Sequence, residues 1–267
     1  MTYIQLDILD IALAAALLVV NAVLSIWLRL GLARQIAIAA VRMVVQLWLL
    51  GLILNFLFSR VSPALTLLAA VVMIAFAGYE AAARQQRPLT GWWTYGIGTA
   101  TMLFAGGLVA VFALTALVRP EPWYDPRYAL PLLGMILGNA MTGIALGLNT
   151  LFTMAARERT AIEARICLGA DRWTALRHVT REAMRSGMIP ILNMMAATGV
   201  VAIPGMMTGQ VLAGVAPIDA VKYQLLIIFL IAGVVGLGTF AAVHLGARRL
   251  TDDRHRLRLD RLGSGAE

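Results

Sequence analysis

The sequence predicts an all-α, polytopic membrane protein with about seven transmembrane helices and one helical loop on the cytoplasmic side. Two features of the composition predict this fold class: 60% of the 267 residues are hydrophobic and only 13% are charged, and the mean hydropathy is +0.81. A soluble chain of this length has too little interior to bury so much apolar surface, so lipid must cover much of it. The ordinary soluble-enzyme classes are therefore excluded.

The third observation is a series of apolar stretches that are long enough to cross a bilayer, which takes about 20 mainly apolar residues. The predicted spans cover residues 8–28, 36–58, 64–83, 96–118, 130–152, 188–213 and 224–245. Together they form one transmembrane domain over residues 1–247. A charged, mobile cytoplasmic tail is expected over residues 248–267.

The distribution of basic residues predicts the orientation, because Lys and Arg collect on the cytoplasmic side. With the N-terminus outside, the inner segments hold 17 basic residues and the outer segments hold four. The C-terminus is then cytoplasmic. These residues lie in short connectors between apolar runs, so the net charge of +8 indicates contact with the lipid bilayer and not with nucleic acid.

The loop over residues 155–187 is the one long connector, and it carries seven arginines. Its pattern predicts two short helices separated by a break at Gly169, each with an apolar face and basic residues on the other sides. Two interpretations stay open: an amphipathic hairpin that lies on anionic lipid, or a docking element for a cytoplasmic partner.

Polar side chains inside the predicted spans are candidates for a substrate pathway, because placing them in lipid is costly, about 2.5–3.5 kcal/mol for a charged one at a helix centre. Arg42 and Gln46 are four residues apart and share one helix face. With the predicted orientation, Arg42 of the second span and Glu80 of the third both lie toward the inner leaflet. Asn139 lies near the middle of the fifth span. Arg42 and Glu80 are equally compatible with a structural ion pair, or Arg42 with snorkelling.

The predicted sixth span contains Pro204 followed by Met206 and Met207. A proline breaks helical hydrogen bonding, and broken helices commonly expose backbone carbonyls beside a transport cavity. Met141 is a further pathway candidate. Met206, Met207 and Glu80 are the candidate metal ligands, although thioether sulfur suits soft metals better than ferrous iron, and both methionines are also typical of simple packing.

Three pairs of glycines have the Gly-x-x-x-Gly spacing that allows helices to approach closely. The pairs are Gly134 with Gly138, Gly143 with Gly147, and Gly205 with Gly209. They predict that the fifth and sixth spans pack against other helices and not against lipid.

The loop contains a motif that resembles the coupling loop (EAA loop) of ABC-transporter permeases. The match consists of Glu163, Ala164, Gly169 and Ala170 at the family spacing, followed by the pair Arg172-Trp173. The sequence departs from the family pattern at Arg165, where a small residue is usual, and it lacks the closing apolar-Pro pair. Glu163 would offer a charge to a basic groove of an ATPase, and Gly169 would allow a sharp turn. Alternatively, Glu163 is an exposed helix acid and Gly169 a helix C-cap.

Three further segments occur in order with that motif: Val41 to Leu47, Gly138 to Met141, and Pro204 to Gly209. Together they resemble the FetB iron-export permease family with its plant aluminium-tolerance relatives. The resemblance implies a membrane subunit of an ATP-driven ABC transporter in a bacterial inner membrane, which exports iron or a related metal. Plant relatives are associated with UDP-glucose, so export of that nucleotide sugar or of another small anionic solute is the alternative.

The chain itself is predicted to be a non-enzymatic subunit without catalytic residues. A phosphate-binding loop of Walker type needs a lysine before Ser or Thr, and the single lysine, Lys222, precedes Tyr223. ATP and Mg would therefore be bound by a separate cytoplasmic ATPase, and one coupling loop per chain predicts a homodimer. An ion-gradient-driven transporter and a structural membrane anchor are the hypotheses from other classes.

Overall fold

The computed structural model describes residues 7–263, and it is α-helical through most of this range. The principal helices are α1 (Ile8–Trp27), α2 (Ala33–Ser59), α3 (Pro63–Ala83), α4 (Trp93–Thr101), α5 (Leu108–Phe112), α6 (Pro126–Arg157), α7 (Arg159–Cys167), α8 (Arg172–Ala197), α9 (Gly205–Leu212) and α10 (Pro217–Arg249). The π-helical stretch Met102–Gly107 joins α4 to α5, and a second one, Ala113–Val118, continues α5, so that one rod runs from Trp93 to Val118. The predicted all-α fold class is confirmed.

The chain divides into two compact units, an N-terminal unit that ends at Val61 and a main unit that begins at Ser62. In the N-terminal unit, α1 and α2 pack against each other. The tight turn between them contains Arg29 and Gly31 at positive φ. The buried Ser25 hydroxyl accepts a hydrogen bond from the Leu32 backbone N–H at 3.0 Å. The turn is thereby closed by a side chain of the first helix.

The core of the main unit is formed by α6, α8 and α10, which pack along one another. Three small residues allow the closest approach: Gly143 on α6, Gly187 on α8 and Thr239 on α10. A Cβ at Gly187 would lie 2.5 Å from Thr239 Cγ2 and 2.7 Å from the Gly143 carbonyl oxygen. A side chain at this point would push the three helices apart, so the glycine spacing around Gly143 has the packing role that the sequence predicts.

Six helical segments are long and apolar enough to cross a membrane. They are α1, α2, α3, the rod Trp93–Val118, α6 and α10. Each overlaps one predicted span, and the helices extend beyond the predictions by up to seven residues at one end. Apolar side chains that no other helix covers, such as Trp48 and Leu52 of α2, are exposed in the protein, as expected for surfaces that face lipid.

The predicted sixth span, residues 188–213, is wrong as a continuous helix. Helix α8 begins at Arg172, inside the predicted loop, and ends at Ala197. The chain then turns through Gly199, which has a φ of +88°, and the short α9 begins after Pro204. At 1.5 Å per residue, the 26 residues of α8 extend about 39 Å, so α8 is long enough to cross although its first half is too polar to resemble a span.

The connectors rich in arginine meet at one end of the main unit, which we call the basic end: residues 84–92, 158–171 and 250–263. The Gln86 backbone N–H donates to Asn149 Oδ1 at 3.0 Å, and the Thr90 N–H donates to the Arg261 carbonyl at 2.8 Å. The Arg172 N–H donates to His255 Nδ1 at 3.2 Å. This grouping is the one that the arginine distribution predicts, whereas its assignment to the cytoplasm stays a prediction.

The tail is folded where a mobile segment was expected. Leu250 is fully buried, and Leu257, Leu259 and Leu262 pack against the core. The Gly263 N–H donates to the Pro88 carbonyl at 2.7 Å. The high charge of this segment predicted mobility, but the three leucines pack it back onto the helix ends. The folded part extends to the last described residue, 263.

Candidate functional site

The predicted coupling motif forms a helical hairpin, made of α7, a turn over residues 168–171, and the first half of α8. Gly169 has a φ of +93°. Its N–H donates to the Ile166 carbonyl at 2.9 Å, and the Ala170 N–H donates to the Arg165 carbonyl at 3.0 Å. This pair of bonds is the Schellman arrangement that ends a helix with a glycine in the left-handed region. Gly169 is therefore the left-handed glycine directly after the C-cap of α7, Leu168, and it also makes the predicted sharp turn.

The start of α8 is fixed by a second cap. Asp171 Oδ1 accepts a hydrogen bond from the Thr174 backbone N–H at 3.0 Å. Hydrogen bonds from Thr174 lower the pKa of the Asp171 carboxyl below its ordinary value, so the cap is ionised at neutral pH. A negative charge at this position also interacts favourably with the helix dipole. The two caps together define the geometry of the hairpin tip.

The tip presents an apolar knob and an acidic side chain to solvent. Leu168 is 89% exposed, and no atom lies within 4 Å of a Cβ built at Gly169. Glu163 is partly exposed, and its Oε1 forms an ion pair with Arg159 Nε at 2.8 Å on the same helix. Ala164 is exposed beside it. The predicted residues Glu163, Ala164 and Gly169 are thus accessible to a partner.

The other predicted coupling residues face the interior of the main unit. The Trp173 ring stacks on the His244 ring of α10 at a centroid distance of 4.4 Å and an interplanar angle of 10°. Arg172 Nη1 donates to the Asp252 carbonyl at 3.3 Å. Ala170 is half-buried and packs against the core. These three residues hold the hairpin onto α10 and the tail, so their first role is to orient the tip.

A basic groove of about 360 Å³ runs along the hairpin between α7 and α8. Its lining residues are Arg165, Thr174, Arg177, His178 and Arg181. Arg165 Nη1 donates to the Ala175 carbonyl at 3.2 Å, and His178 Nε2 lies 3.9 Å from Glu158 Oε1. The groove therefore has a surplus of positive charge suited to an acidic surface.

The hairpin is mechanically continuous with the membrane core, since α8 passes from the tip to the contact at Gly187 without a break. Pro190 lies inside α8 and does not end it. The face of α8 that packs on the core is fully buried at Leu176, Val179 and Ala183. A displacement of the tip would accordingly be transmitted along α8 to its contact with α6 and α10.

The predicted pathway residues of the main unit lie on separate helices. On α6, Asn139 Nδ2 donates to the Met135 carbonyl at 2.8 Å, and Met141 packs against the core. Further along the chain, Pro204 precedes α9, and Met206 and Met207 lie in the first turn of that helix. Helix α9 packs mainly on α10. The predicted break at Pro204 is confirmed, and Asn139 lies on α6 whereas the two methionines lie on α9.

The remaining pathway candidates lie in different units. Arg42 and Gln46 line a shallow groove of about 480 Å³ along α2 in the N-terminal unit, together with apolar side chains. Their predicted common face is confirmed. Glu80 lies on α3 of the main unit and is half-buried. Across residues 7–263, no group of three His, Cys, Asp or Glu side chains is arranged to hold a metal ion.

Two polar residues that hold the basic end together were missed in the sequence. Gln85 Nε2 donates to the Ala145 carbonyl of α6 at 3.0 Å, and Asn149 Oδ1 accepts from the Gln86 N–H. The signal for Asn149 was present, because it is a polar residue inside an apolar run, as Asn139 is. Neither periodicity nor spacing indicates that its partner is the connector 63 positions away.

The fold and the site define the chain as a multi-pass, all-α membrane protein with a helical hairpin at its basic end. The chain belongs to the Uncharacterised protein family (UPF0014), whose profile matches residues 8–251. It is 36% identical over 241 residues to a UPF0014 membrane protein of Synechocystis sp., covering 89% of this chain and 91% of that relative.

Two further relatives have more informative names. The "Probable iron export permease protein FetB" of Escherichia coli (strain K12) is 31% identical over 248 residues, 93% of each chain. The UPF0014 membrane protein STAR2 of Oryza sativa is 30% identical over 232 residues, 87% of this chain and 79% of the relative. No solved structure matches the chain. The family resemblance that the motifs indicate is confirmed.

Proposed function

We propose that this chain is the membrane subunit of an ATP-driven transporter, and that the α7–α8 hairpin docks onto a separate ATPase. The observation that carries the proposal is the construction of the hairpin. An exposed apolar tip at Leu168 and a basic groove stand on a helix that continues into the packed core. Such an element is suited to convert a movement of a soluble partner into a movement of membrane helices.

The cargo we propose is iron or a related metal, transported outward. The proposal rests on the 31% identity with the Escherichia coli relative, whose name describes it as an iron export permease. Met206, Met207 and Glu80 stay the candidate ligands. Among residues 7–263 of one copy, no three His, Cys, Asp or Glu side chains are arranged to hold a metal ion, so the proposal does not rest on such a cluster.

The assembly we propose contains two copies of this chain and two ATPase subunits in a bacterial cell membrane. One hairpin per chain requires a second copy, because two nucleotide-binding domains work as a pair. The N-terminus would lie outside, and the basic end would face the cytoplasm, where positively charged segments are retained. ATP and Mg would be bound by the ATPase and not by this chain.

Copurification with the cognate ATPase tests the docking. Leu168→Asp should abolish copurification, because it places a charge at the centre of an apolar contact, and Glu163→Arg should weaken it by reversing the charge beside the tip. Val200→Asp is the matched control, since Val200 is an equally exposed aliphatic residue, 90% accessible, in a turn remote from the hairpin. Equal retention of the ATPase by all three variants would refute the docking proposal.

Transport in vesicles tests the cargo and the energy source. Inside-out vesicles with this chain and the ATPase should accumulate ferrous iron on addition of Mg-ATP, and Leu168→Asp should abolish this. UDP-glucose in place of iron distinguishes the nucleotide-sugar alternative. An uncoupler that stops transport while ATP stays high would instead establish the ion-gradient class.

A further inference from the structure

An open cleft of about 780 Å³ lies at the basic end of the main unit, apart from the exposed tip of the hairpin. We call it the interfacial cleft. Its walls are the first turns of α4, the last turns of α10, the start of α8 and the folded tail. Four arginines line it: Arg172, Arg248, Arg249 and Arg261. Two aspartates, Asp252 and Asp253, also reach its rim, so positive charge is in excess.

The lining changes from polar to apolar along the helices. Trp92 and Trp93 lie at the start of α4, and Ile97 and Ala100 follow one and two turns further along it. The distance from Trp93 to Ala100 along the helix is about 10 Å at 1.5 Å per residue. On the facing helix, Leu245 precedes the arginines at the end of α10 by about one turn. The charged rim therefore lies at the helix ends, and the apolar floor runs into the spans.

Two of the arginines have donors that nothing in the described chain satisfies. The Nε atoms of Arg172 and Arg249 are buried and have no hydrogen-bond partner among residues 7–263. The Arg249 guanidinium lies 4.0 Å from the centroid of the Trp93 ring, which holds it in place by a cation–π contact. A buried donor without an acceptor is costly, and an arginine prefers the oxygens of a phosphate or carboxylate.

The acidic side chains do not neutralise this cluster. Asp252 Oδ2 forms an ion pair with Arg256 Nη2 at 2.8 Å, and hydrogen bonds from Arg256 lower the pKa of its carboxyl. Asp253 Oδ1 reaches Arg172 only at 3.5 Å, and its side chain is fully exposed. The cleft thus retains room and charge for an additional anion.

We propose that the interfacial cleft binds the phosphate of an anionic phospholipid, with the headgroup at the arginine rim and the first acyl carbons against Ile97, Ala100 and Leu245. A soluble phosphate would satisfy the same arginines, but it would leave the apolar floor uncovered. The floor continues into the spans, and Trp92 is 83% exposed beside the rim, as is typical of aromatic residues at the headgroup level.

The bound lipid connects three helices that the chain itself joins only in part. Arg172 begins α8, Arg249 ends α10 and Trp93 begins α4, so one headgroup would bridge all three. Because α8 also carries the hairpin, an anionic lipid would stabilise the orientation of the hairpin relative to the membrane. This inference does not depend on the cargo or on the ATPase.

Thermal unfolding of the purified full-length chain in a neutral detergent tests the proposal. The probes are dioctanoyl phosphatidylglycerol, dioctanoyl phosphatidylcholine and glycerol phosphate. Phosphatidylglycerol at about a hundredfold its Kd should raise the apparent Tm by roughly 5 °C or more. Phosphatidylcholine and glycerol phosphate should leave it unchanged.

The double variant Arg248→Gln with Arg249→Gln should lose the shift produced by phosphatidylglycerol. Arg254→Gln is the matched control, because it removes the same charge from the same tail at a residue that does not line the cleft. If the double variant does not fold, the single variant Arg248→Gln, at an exposed side chain, replaces it. Phosphatidylglycerol should then raise the apparent Tm of this variant by at most half as much as that of the wild type.

Equal shifts with both lipids, or an unchanged shift in the arginine variants, would overturn the proposal. A shift with glycerol phosphate equal to that with phosphatidylglycerol would also overturn it, since the cleft would then be a site for soluble phosphate.

Discussion

The two ends of the main unit are held together by different kinds of interaction. At the basic end, polar contacts join segments far apart in sequence, such as Gln86 with Asn149 and Arg172 with His255. At the opposite end, over residues 198–216, the described hydrogen bonds join near neighbours, such as the Gly199 N–H with the Ala202 carbonyl at 2.9 Å. Val200, Val201 and Ile203 there are exposed by 90%, 83% and 70%.

The chain is preorganised at one of these ends and not at the other. The basic end is fixed by caps, stacking and long-range hydrogen bonds, so its surface has a defined shape. The opposite end lacks such long-range bonds among its described residues, and its exposed apolar side chains require lipid or another protein surface to cover them. A change of shape at that end would break fewer hydrogen bonds than one at the basic end.

The largest expected effect comes from the helix contact between the two ends. Gly187→Leu should destabilise the protein by about 3 kcal/mol or prevent folding, because overpacking forces α8 away from Gly143 and Thr239. Gly138→Leu on α6 is the control, since nothing lies within 4 Å of a Cβ there. The measurement is the apparent Tm in detergent with the yield of monodisperse protein. Equal behaviour of the two variants would mean that the contact is not rigid.

Two glycines allow a direct comparison of the two ends. Gly169→Ala should cost about 1–2 kcal/mol, because alanine is strained at a φ of +93°. Gly209→Ala should be neutral or stabilising by up to about 1 kcal/mol, since Gly209 lies within α9 with open space around it. Both effects are measured by thermal unfolding. Stabilisation by Gly169→Ala would show that the hairpin does not have the described turn.

A smaller effect is expected from the tail at the basic end. Arg258 donates to both carboxylate oxygens of Asp260, at 2.9 and 2.8 Å, and the hydrogen bonds hold the pKa of Asp260 at about 2. A lowered pKa in the folded state stabilises the fold above the ordinary pKa of 3.8. The contribution is lost as the pH falls toward about 2.

The difference in apparent Tm between the wild type and Arg258→Gln should therefore be constant from about pH 8 to pH 5 and shrink below about pH 4. Arg254→Gln, which removes a charge from the same tail, should show no such pH dependence. A difference that disappears already between pH 7 and pH 5 would assign the effect to another group.

The smallest effect is expected at the opposite end. Val200→Ser should change the stability in detergent by less than about 0.5 kcal/mol, because an exposed surface substitution removes little packing. Leu250→Ala, at a fully buried aliphatic residue of the basic end, is the comparison and should cost about 2–3 kcal/mol, at the lower end of the range for such truncations. A loss at Val200 that approaches the loss at Leu250 would show that its side chain is covered.

Much of the fold could be predicted because crossing a bilayer imposes a strong pattern. The six apolar helices follow from length and hydropathy alone, and the break at Gly169 follows from the absence of a Cβ. The span at 188–213 failed for a physical reason: the turn at Gly199 and Pro204 separates α8 from α9. The first half of α8 is polar because it lies outside the core of the spans, and hydropathy cannot distinguish such an extended helix from a loop.

The candidate site was predicted in part. Glu163, Ala164 and Gly169 are accessible as a docking motif requires, whereas Arg172 and Trp173 face α10 and the tail. The Trp173 side chain is oriented by His244, 71 residues further along the chain, and the Arg172 side chain by Asp252, 80 residues further along. The predicted packing role of the glycines also holds only in part. Gly143 contacts α8 and α10, whereas Gly138, Gly205 and Gly209 have open space around them.

The amino-acid pattern alone predicts that lipid surrounds this protein, that it is helical, and which segments meet at the basic end. Those properties are local sums of hydropathy and charge, which any apolar chain must satisfy in a bilayer. Three features became visible only in the folded chain: α8 joins the hairpin to the core, the charged tail folds back, and four arginines surround one cleft. These features depend on contacts between residues far apart in the chain, and the sequence pattern carries no information about such pairings.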